Sequence, residues 1–244
     1  MDEDLKLVFL HIPKTAGTSL RETMMSSIAE AEVCPERLDR LQQWDPRELA
    51  KYKFFFGHFS VDSLKCIPGR KKTATILRDP RKRLLSWYYF AKSHSTAHVE
   101  NAAPELRTAK YNNLIDYLRV EGPHVPTMTQ MLGAGDIGKA KENLSIVDAI
   151  GLTERADDSL AVISWQFGLP PLRSMPKLNV TGERVNDPAF EKEPPVREPL
   201  TEEIQSLIAN LTEDDRYLYE HAKFIFERQF KLFTEALIDG RVQA

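Results

Sequence analysis

The segment Leu5-Lys-Leu-Val-Phe-Leu-His-Ile-Pro-Lys-Thr-Ala-Gly-Thr-Ser-Leu20 decides how the chain folds. It opens with a short apolar run rich in strand-forming residues, which stops at Pro13. A lysine, a glycine and three hydroxyl residues follow, and a helical pattern begins at Leu20. A strand, a tight loop and a helix N-terminus together form an anion site, because the free N–H groups of the first helical turn point at the anion. The sequence therefore predicts a site for a phosphorylated ligand.

The loop also carries side chains that suit a phosphate. Lys14 lies inside it, where an ammonium group can reach a phosphate oxygen. The hydroxyl donors beside this lysine are Thr15, Thr18 and Ser19. The order differs from a Walker A loop, since Lys14 precedes Gly17. An ATP-using enzyme of that type would also need a strand-end carboxylate for magnesium, for which Asp62 is the nearby candidate. A plain strand–turn–helix connection without a ligand is the alternative.

A second candidate phosphate site follows another buried strand. The apolar run at residues 73–77 leads into Arg78, and Pro80 suits the first turn of a helix over residues 81–92. Ser86 lies about two turns into that helix. A guanidinium and a hydroxyl so placed can clamp a second, separate phosphate. The alternative is that Arg78 pairs with Asp79 or a helix terminus and that Ser86 is a surface residue.

Composition limits the kinds of partner and compartment. The chain has 244 residues, 42% hydrophobic content, a net charge of −3 and a pI near 6.1. A nucleic-acid partner is disfavoured, because such domains carry a basic excess. Cys34 and Cys66 form neither a disulfide framework nor a metal pattern, which favours a reducing cytoplasm. The strand at Leu5 leaves no room for a signal peptide, and no stretch approaches the ~20 apolar residues of a membrane span. We expect a cytoplasmic protein; a Golgi location would apply only to a chain trimmed from an anchored precursor.

The rest of the sequence alternates strand and helix patterns. Strand patterns occur at residues 5–10, 52–56, 73–77 and 145–152, and helix patterns occur at residues 20–29, 81–92, 153–167 and from about 201. This alternation predicts an α/β fold, with a parallel sheet and helices on both faces, in one domain spanning residues 1–244. We interpret residues 94–138 as an insertion that covers the site and is helical only over residues 111–120. Residues 168–200 are interpreted as a Pro-rich loop.

Two motifs together resemble a known family. They are His-Ile-Pro-Lys-Thr-Ala-Gly-Thr-Ser-Leu at residues 11–20 and Leu-Arg-Asp-Pro-Arg-Lys-Arg-Leu-Leu-Ser-Trp-Tyr-Tyr-Phe at residues 77–90. The combination resembles the sulfotransferases, and it is closest to the carbohydrate branch that includes the uronyl 2-O-sulfotransferases. Those enzymes use 3′-phosphoadenosine 5′-phosphosulfate (PAPS), which has a phosphosulfate at one end and a lone phosphate at the other. Weaker agreement occurs at residues 56–58, 150–155 and 215–220. The resemblance implies a P-loop-like fold over most of residues 5–230.

The resemblance also implies a role for each matching residue. The residues that would hold the 5′-phosphosulfate are Lys14, Thr15, Gly17, Thr18 and Ser19. Arg78 and Ser86 would hold the 3′-phosphate. A later loop supplies further donor contacts in the family, and the matching residues here are Thr181 and Arg184. The resemblance implies no metal, because the transferred sulfonate carries less charge than a phosphoryl group.

Two residues are the candidate catalytic groups. Lys14 is placed to stabilise the negative charge that grows on the leaving nucleotide. His58 follows an aromatic strand and matches the catalytic histidine of the 2-O branch, and neutral imidazole suits the removal of a proton from an acceptor hydroxyl. That branch often has a second histidine two positions earlier, where this chain has Phe56. We expect a structural role for His11.

These residues lead to one main hypothesis and two alternatives. The main hypothesis is a sulfotransferase that uses PAPS and acts on a hydroxyl of a carbohydrate or other small molecule. One alternative is a P-loop phosphotransferase that uses ATP. The other is a catalytically silent nucleotide-binding or scaffold protein. The aromatic cluster at residues 87–90 is interpreted as core packing, with stacking on adenine as the alternative.

Overall fold

The computed structural model describes residues 5–25, 27–100, 102–120, 125–170, 189–191 and 194–240. Its strands are β1 (Leu5–Leu10), β2 (Phe54–Gly57), β3 (Arg70–Leu77) and β4 (Ala149–Leu152). Its helices are α1 (Gly17–Met25), α2 (Pro46–Leu49), α3 (Pro80–Lys92), α4 (Thr96–Glu100), α5 (Pro104–Tyr111), α6 (Leu114–Arg119), α7 (Met128–Gly133), α8 (Ile137–Ser145), α9 (Ala156–Phe167), α10 (Glu202–Leu211) and α11 (Glu213–Ile238).

The strands form one parallel sheet in the order β2-β1-β3-β4. Side chains of β1 alternate between its two faces. Leu7 and Phe9 pack with residues of α1 and α9, whereas Val8 and Leu10 pack with residues of α7, α8 and α11. Helices therefore cover both faces, and the expected α/β fold is confirmed.

A third hydrophobic cluster lies outside the sheet, among α3, α5, α6 and α10. It includes the insertion at residues 94–138, which was expected to be helical only over residues 111–120. That expectation is wrong, because the insertion forms α4 to α8. Pro104 occupies the first turn of α5, and Thr127 begins α7 with a capping box. Proline at the start of a helix costs little, since the N–H it lacks would have no acceptor there.

Other boundaries also differ from expectation. The strand expected at residues 145–152 covers only Ala149–Leu152, because Ser145 ends α8. Residues 168–170, 189–191 and 194–200, which are the described parts of the Pro-rich loop, contain no helix or extended strand. No helix in the described part of the chain is long and apolar enough to cross a membrane.

The topology brings the candidate residues to one edge of the sheet. Parallel strands present their carboxyl ends on the same side, which is where ligands bind in open α/β folds. Lys14 follows β1, His58 follows β2 and Arg78 follows β3. Because β1 pairs with both β2 and β3, the loop bearing Lys14 lies between the other two residues.

Candidate active site

The loop between β1 and α1 is tight and strained. Lys14 and Ala16 both adopt left-handed backbone conformations, with φ of 69° and 64°. Residues other than glycine rarely do so, and each such residue costs roughly 1–3 kcal/mol. Thr15 lies buried between them, and its hydroxyl donates to the carbonyl oxygen of Ile12 at 2.8 Å. The Thr15 hydroxyl proton is therefore used within the loop.

The loop delivers the helix N-terminus expected for an anion site. Leu20 N donates to the carbonyl oxygen of Ala16, which begins the helical hydrogen bonding of α1. The amide groups of the first turn have no acceptor within the helix itself. Ser19 is buried in this turn, and Thr18 also lies in α1. The amide groups and the helix dipole favour a bound anion.

Lys14 extends from this loop towards α3. Its Nζ lies 3.8 Å from the centroid of the Phe90 ring. An ammonium group over an aromatic face is attracted by the ring quadrupole. Phe90 therefore holds the cation of the loop, and this part of the aromatic cluster contacts a candidate site residue.

Arg78 links the second candidate phosphate site to the loop. Its Nη1 donates to the carbonyl oxygen of Lys14 at 3.0 Å, while its Nε is buried without a hydrogen-bond partner among the described residues. Burial lowers the pKa of Arg78. The Asp79 carboxylate accepts from the backbone N of Lys82 at 2.9 Å and caps α3, and no ion pair within 4 Å joins it to Arg78 among the described residues. Glu154 and Asp79 are nevertheless near enough to oppose the shift in the pKa of Arg78. A buried guanidinium with an unused donor fits an external anion.

The remaining candidate donor contacts have separate positions. Ser86 is half-buried in α3, as its spacing predicted. Thr181 and Arg184 lie outside the described residues. Their assignment to the donor therefore stays a prediction.

His58 is held in one orientation by two backbone contacts. Its backbone N donates to the carbonyl oxygen of Arg37 at 2.8 Å, and its Nδ1 lies 2.8 Å from the carbonyl oxygen of His11. A carbonyl only accepts, so Nδ1 carries the proton and Nε2 keeps its lone pair. Burial lowers the pKa of His58, and the bond to His11 opposes this shift only partly. The imidazole is therefore neutral at pH 7 and can accept a proton at Nε2.

His11 lies between His58 and α1. Its ring stacks on that of His58 with centroids 4.7 Å apart. A Cβ on Gly17 would lie 2.0 Å from the His11 ring, so only glycine fits there. Burial, His58 and Lys14 lower the pKa of His11 to about 3. The structural role expected for His11 is one of packing rather than of ring hydrogen bonding, because its Nδ1 has no hydrogen-bond partner among the described residues. The ring connects the loop between β1 and α1 to His58.

The low pKa of His11 predicts a pH-dependent stability. Unfolding returns its pKa from about 3 to 6.5, so the unfolded chain binds more protons as the pH falls. This contribution is present above about pH 6.5 and is lost progressively between pH 6.5 and 3. From pH 7 to 5, we expect the His11 share to remove about 2 kcal/mol of unfolding free energy. Urea titration of wild type and His11→Phe measures that share, and an identical pH dependence of the two proteins would contradict it.

A buried ion pair contacts the loop between β1 and α1 through Pro13. Arg83 donates from Nε to the carbonyl oxygen of Pro13 at 3.1 Å and from Nη2 to that of Pro126. Its Nη1 lies 3.7 Å from the Asp215 carboxylate, and both side chains are buried. Asp215 also accepts from the backbone N of Met128 and Thr129 at the start of α7. Asp215 lies in the first turn of α11, and its carboxylate serves the first turn of α7.

Removing this ion pair should destabilise the fold strongly. Arg83→Met leaves the Asp215 carboxylate buried without its cation, which typically costs about 3–5 kcal/mol. We expect a large drop in Tm by calorimetry. The double variant Arg83→Met/Asp215→Asn should recover part of the loss, because no unpaired charge remains. An unchanged Tm for Arg83→Met would show that the pair contributes no stability.

A cavity of about 490 Å³ opens beside His58 and the loop. The residues that line it are Pro13, Leu38, Asp39, His58, Phe59, Ser60, Trp87, Glu105, Pro126, Gln130 and Met131. Trp87 of α3, Glu105 of α5, and Gln130 and Met131 of α7 belong to this wall, so helices of the insertion form part of it. Its size suits a small ligand or one residue of a larger one.

Comparison with known proteins identifies the family. Residues 1–234 match the sequence profile of the family described as "Sulfotransferase family". The chain belongs to the sulfotransferase family. It is also 33% identical over 87 residues to a protein-tyrosine sulfotransferase of Arabidopsis thaliana. That alignment covers 35% of this sulfotransferase-family chain and 17% of the relative, so the chain matches only a small part of that protein's length.

Two features distinguish this family member from the expected alternatives. Asp62 lies in the 3₁₀ turn Val61–Cys66 and forms an ion pair with Lys139 at 3.3 Å, so it is not the strand-end carboxylate that a magnesium site would need. Phe56, at the position of the second histidine in the 2-O branch, is buried and stacks on Phe9 at 4.9 Å. Among the described residues, the imidazole ring next to His58 is therefore that of His11, and β2 supplies none.

Proposed function

We propose that this chain transfers the sulfonate group of PAPS to a hydroxyl of an acceptor. The observation that supports this most strongly is the position of a neutral histidine beside the phosphate loop. His58 is fixed through Nδ1 to the carbonyl oxygen of His11, which leaves Nε2 as a proton acceptor. His58 and Pro13 line the same cavity, and Lys14 follows Pro13 directly.

The described residues fit the two ends of this donor. The first turn of α1 and Lys14 would hold the 5′-phosphosulfate. Because the Thr15 hydroxyl already donates to Ile12, the backbone amide groups of Thr15 and Gly17 would bind the anion instead. Arg78 would hold the 3′-phosphate through its unpartnered Nε, and Ser86 would add a hydroxyl. Thr181 and Arg184 remain proposed donor contacts from the resemblance alone.

The reaction then divides between Lys14 and His58. The donor supplies an electrophilic sulfur bonded to a phosphate oxygen that can leave. As the acceptor oxygen forms its bond to sulfur, His58 Nε2 takes the hydroxyl proton. Lys14 stabilises the electron pair left on the phosphate oxygen when the sulfur–oxygen bond breaks. The low pKa of His58 keeps this base unprotonated at neutral pH.

The acceptor belongs in the cavity beside His58. The resemblance to the carbohydrate branch, with His58 at the matching position, supports a sugar hydroxyl. The name of the Arabidopsis relative supports a phenolic hydroxyl equally well. We therefore propose a hydroxyl of a carbohydrate or another small molecule.

A transfer assay tests this function. The protein is incubated with PAPS and a panel of sugars and phenols, and the nucleotide product and sulfated acceptors are measured by mass spectrometry. We expect stoichiometric formation of 3′-phosphoadenosine 5′-phosphate (PAP) and a sulfate ester. Phosphate transfer from magnesium ATP instead would favour the phosphotransferase. Binding of PAP without transfer to any acceptor would favour a silent nucleotide-binding protein.

A further inference from the structure

We propose that the cavity beside His58 selects an acceptor that is uncharged or cationic and has a flat or ring-shaped apolar face. This inference rests on the proposed function, because it names the acceptor class for the same site. Its residues are Glu105, Asp39 and Trp87. A polyanionic glycan, such as a chain of uronic acids, is the class that this cavity disfavours.

The charged residues in the cavity wall are acidic. Glu105 and Asp39 line it, and none of the wall residues that the structure describes is a lysine or an arginine. His58 is the remaining titratable group of the wall, and its lowered pKa keeps it neutral. The two carboxylates therefore contribute a negative potential to the cavity, which opposes an anionic acceptor.

The nearby cations act elsewhere. Arg37 precedes the wall residue Leu38, but its guanidinium donates to the carbonyl oxygen of Phe56 at 2.8 Å. Arg83 forms the buried pair with Asp215. Lys14 follows Pro13 in the sequence but does not line the cavity; its Nζ lies over the Phe90 ring, and its charge is the one we propose for the donor phosphosulfate. The wall thus keeps its acidic character when the donor is bound.

Glu105 is the acidic residue whose carboxylate is more available to a ligand. It is half-buried, and no described residue forms a hydrogen bond or an ion pair with it. It also lines an adjoining cavity of about 450 Å³, which shares Pro126 and Gln130 with the first. Asp39, in contrast, is exposed, and its carboxylate accepts from the backbone N of Ser60 and from the hydroxyl of Ser63. Glu105 therefore has both oxygen atoms available for an acceptor hydroxyl or amine.

Trp87 supplies the apolar surface and an unused donor. Its indole Nε1 is buried without a hydrogen-bond partner among the described residues. Leu38, Phe59 and Met131 extend the apolar wall. An indole face with carboxylate and amide groups around it is suited to a sugar ring or a phenol.

Matched acceptors that differ only in charge test the proposal. The phenol series is tyramine, 4-ethylphenol and 3-(4-hydroxyphenyl)propionate; the sugar series is methyl glucoside and methyl glucuronide. Binding to the PAP-loaded protein is measured by tryptophan fluorescence and calorimetry, and turnover is measured with PAPS. We expect the anionic member of each series to bind and react at least about tenfold more weakly than its neutral partner.

Two variants assign the preference to Glu105. Glu105→Gln should reduce the discrimination against the anionic members to about threefold or less, since it removes one wall charge while keeping the shape. Glu142→Gln, at an exposed position of α8, is the control and should leave the discrimination between anionic and neutral acceptors unchanged. Trp87→Phe should remove the fluorescence response and weaken both sugar and phenol binding.

The outcomes separate this inference from the proposed function. Equal or preferred binding of the anionic acceptors would overturn the inference, even if sulfonate transfer takes place. Unchanged discrimination in Glu105→Gln would also overturn it. If PAP does not bind at all, the proposed function fails, and acceptor binding to the free protein still decides the charge preference.

Discussion

His58→Ala is expected to abolish sulfonate transfer while the affinity for PAP stays within about threefold of wild type. The side chain lies after β2 and lines the acceptor cavity, whereas the candidate donor contacts lie after β1 and β3. Loss of a general base costs typically ~10²–10⁴ in rate. Single-turnover rates and calorimetric titration with PAP measure the two effects separately. A collapse of PAP affinity would make His58 a binding residue instead.

A second substitution separates the proton transfer from the local packing. His58→Asn keeps a side-chain donor for the carbonyl oxygen of His11 but has no basic nitrogen. We expect it to match the stability of wild type and the inactivity of His58→Ala. For wild type, the lowered pKa of His58 places the acidic limb of the rate below pH 6.5. The rate should rise with pH in that range as the imidazole loses its proton. Above pH 6.5, the titration of His58 should cause no further change in the rate.

Lys14→Ala is expected to reduce turnover by about 10²–10³-fold with the fold intact. Lys14 is the cation of the loop, and its Nζ is held over the Phe90 ring. Alanine keeps a β-carbon at this left-handed position, so the strain of the loop should change little. Lys65→Ala, at an exposed position, is the control for loss of one positive charge. Thermal unfolding verifies the fold, and PAPS turnover measures the effect.

The loss should appear mainly in kcat. Lys14 is proposed to stabilise charge that grows only as the donor bond breaks, so its removal should lower kcat and kcat/KM together. A variant that retains turnover within about threefold of wild type would remove the assigned role. A rise in KM alone would leave Lys14 with its donor-binding role and remove the catalytic one.

The first strand, the loop after it and the parallel sheet with helices on both faces could be predicted from the sequence. Leu5–Leu10 is short, apolar and followed by Pro13, so local preference and tertiary packing agree. Arg78 followed by Pro80 likewise fixes the end of β3 and the start of α3. The insertion was mispredicted because proline was interpreted as a helix breaker, although Pro104 begins α5.

The connections within the site could not be predicted, because they join distant parts of the chain. The bond from His58 to the carbonyl oxygen of His11 spans 47 residues, and no local pattern indicates it. The contact between Gly17 and the His11 ring likewise depends on how α1 packs against β1. Arg83 and Asp215 are distant in the sequence, and only the fold brings the two together in the core.

The central claim is that the sheet edge binds a nucleotide with two separate phosphate groups. Calorimetry with PAP tests it most directly. Adenosine 5′-diphosphate, which lacks the 3′-phosphate, is titrated in parallel. We expect PAP to bind at one site and adenosine 5′-diphosphate to bind about 10–100-fold more weakly, because a charged hydrogen bond to Arg78 contributes about 1.5–3 kcal/mol. Arg78→Met should make the two nucleotides nearly equal. Equal affinity of wild type for both nucleotides, or no binding of PAP, would contradict the claim.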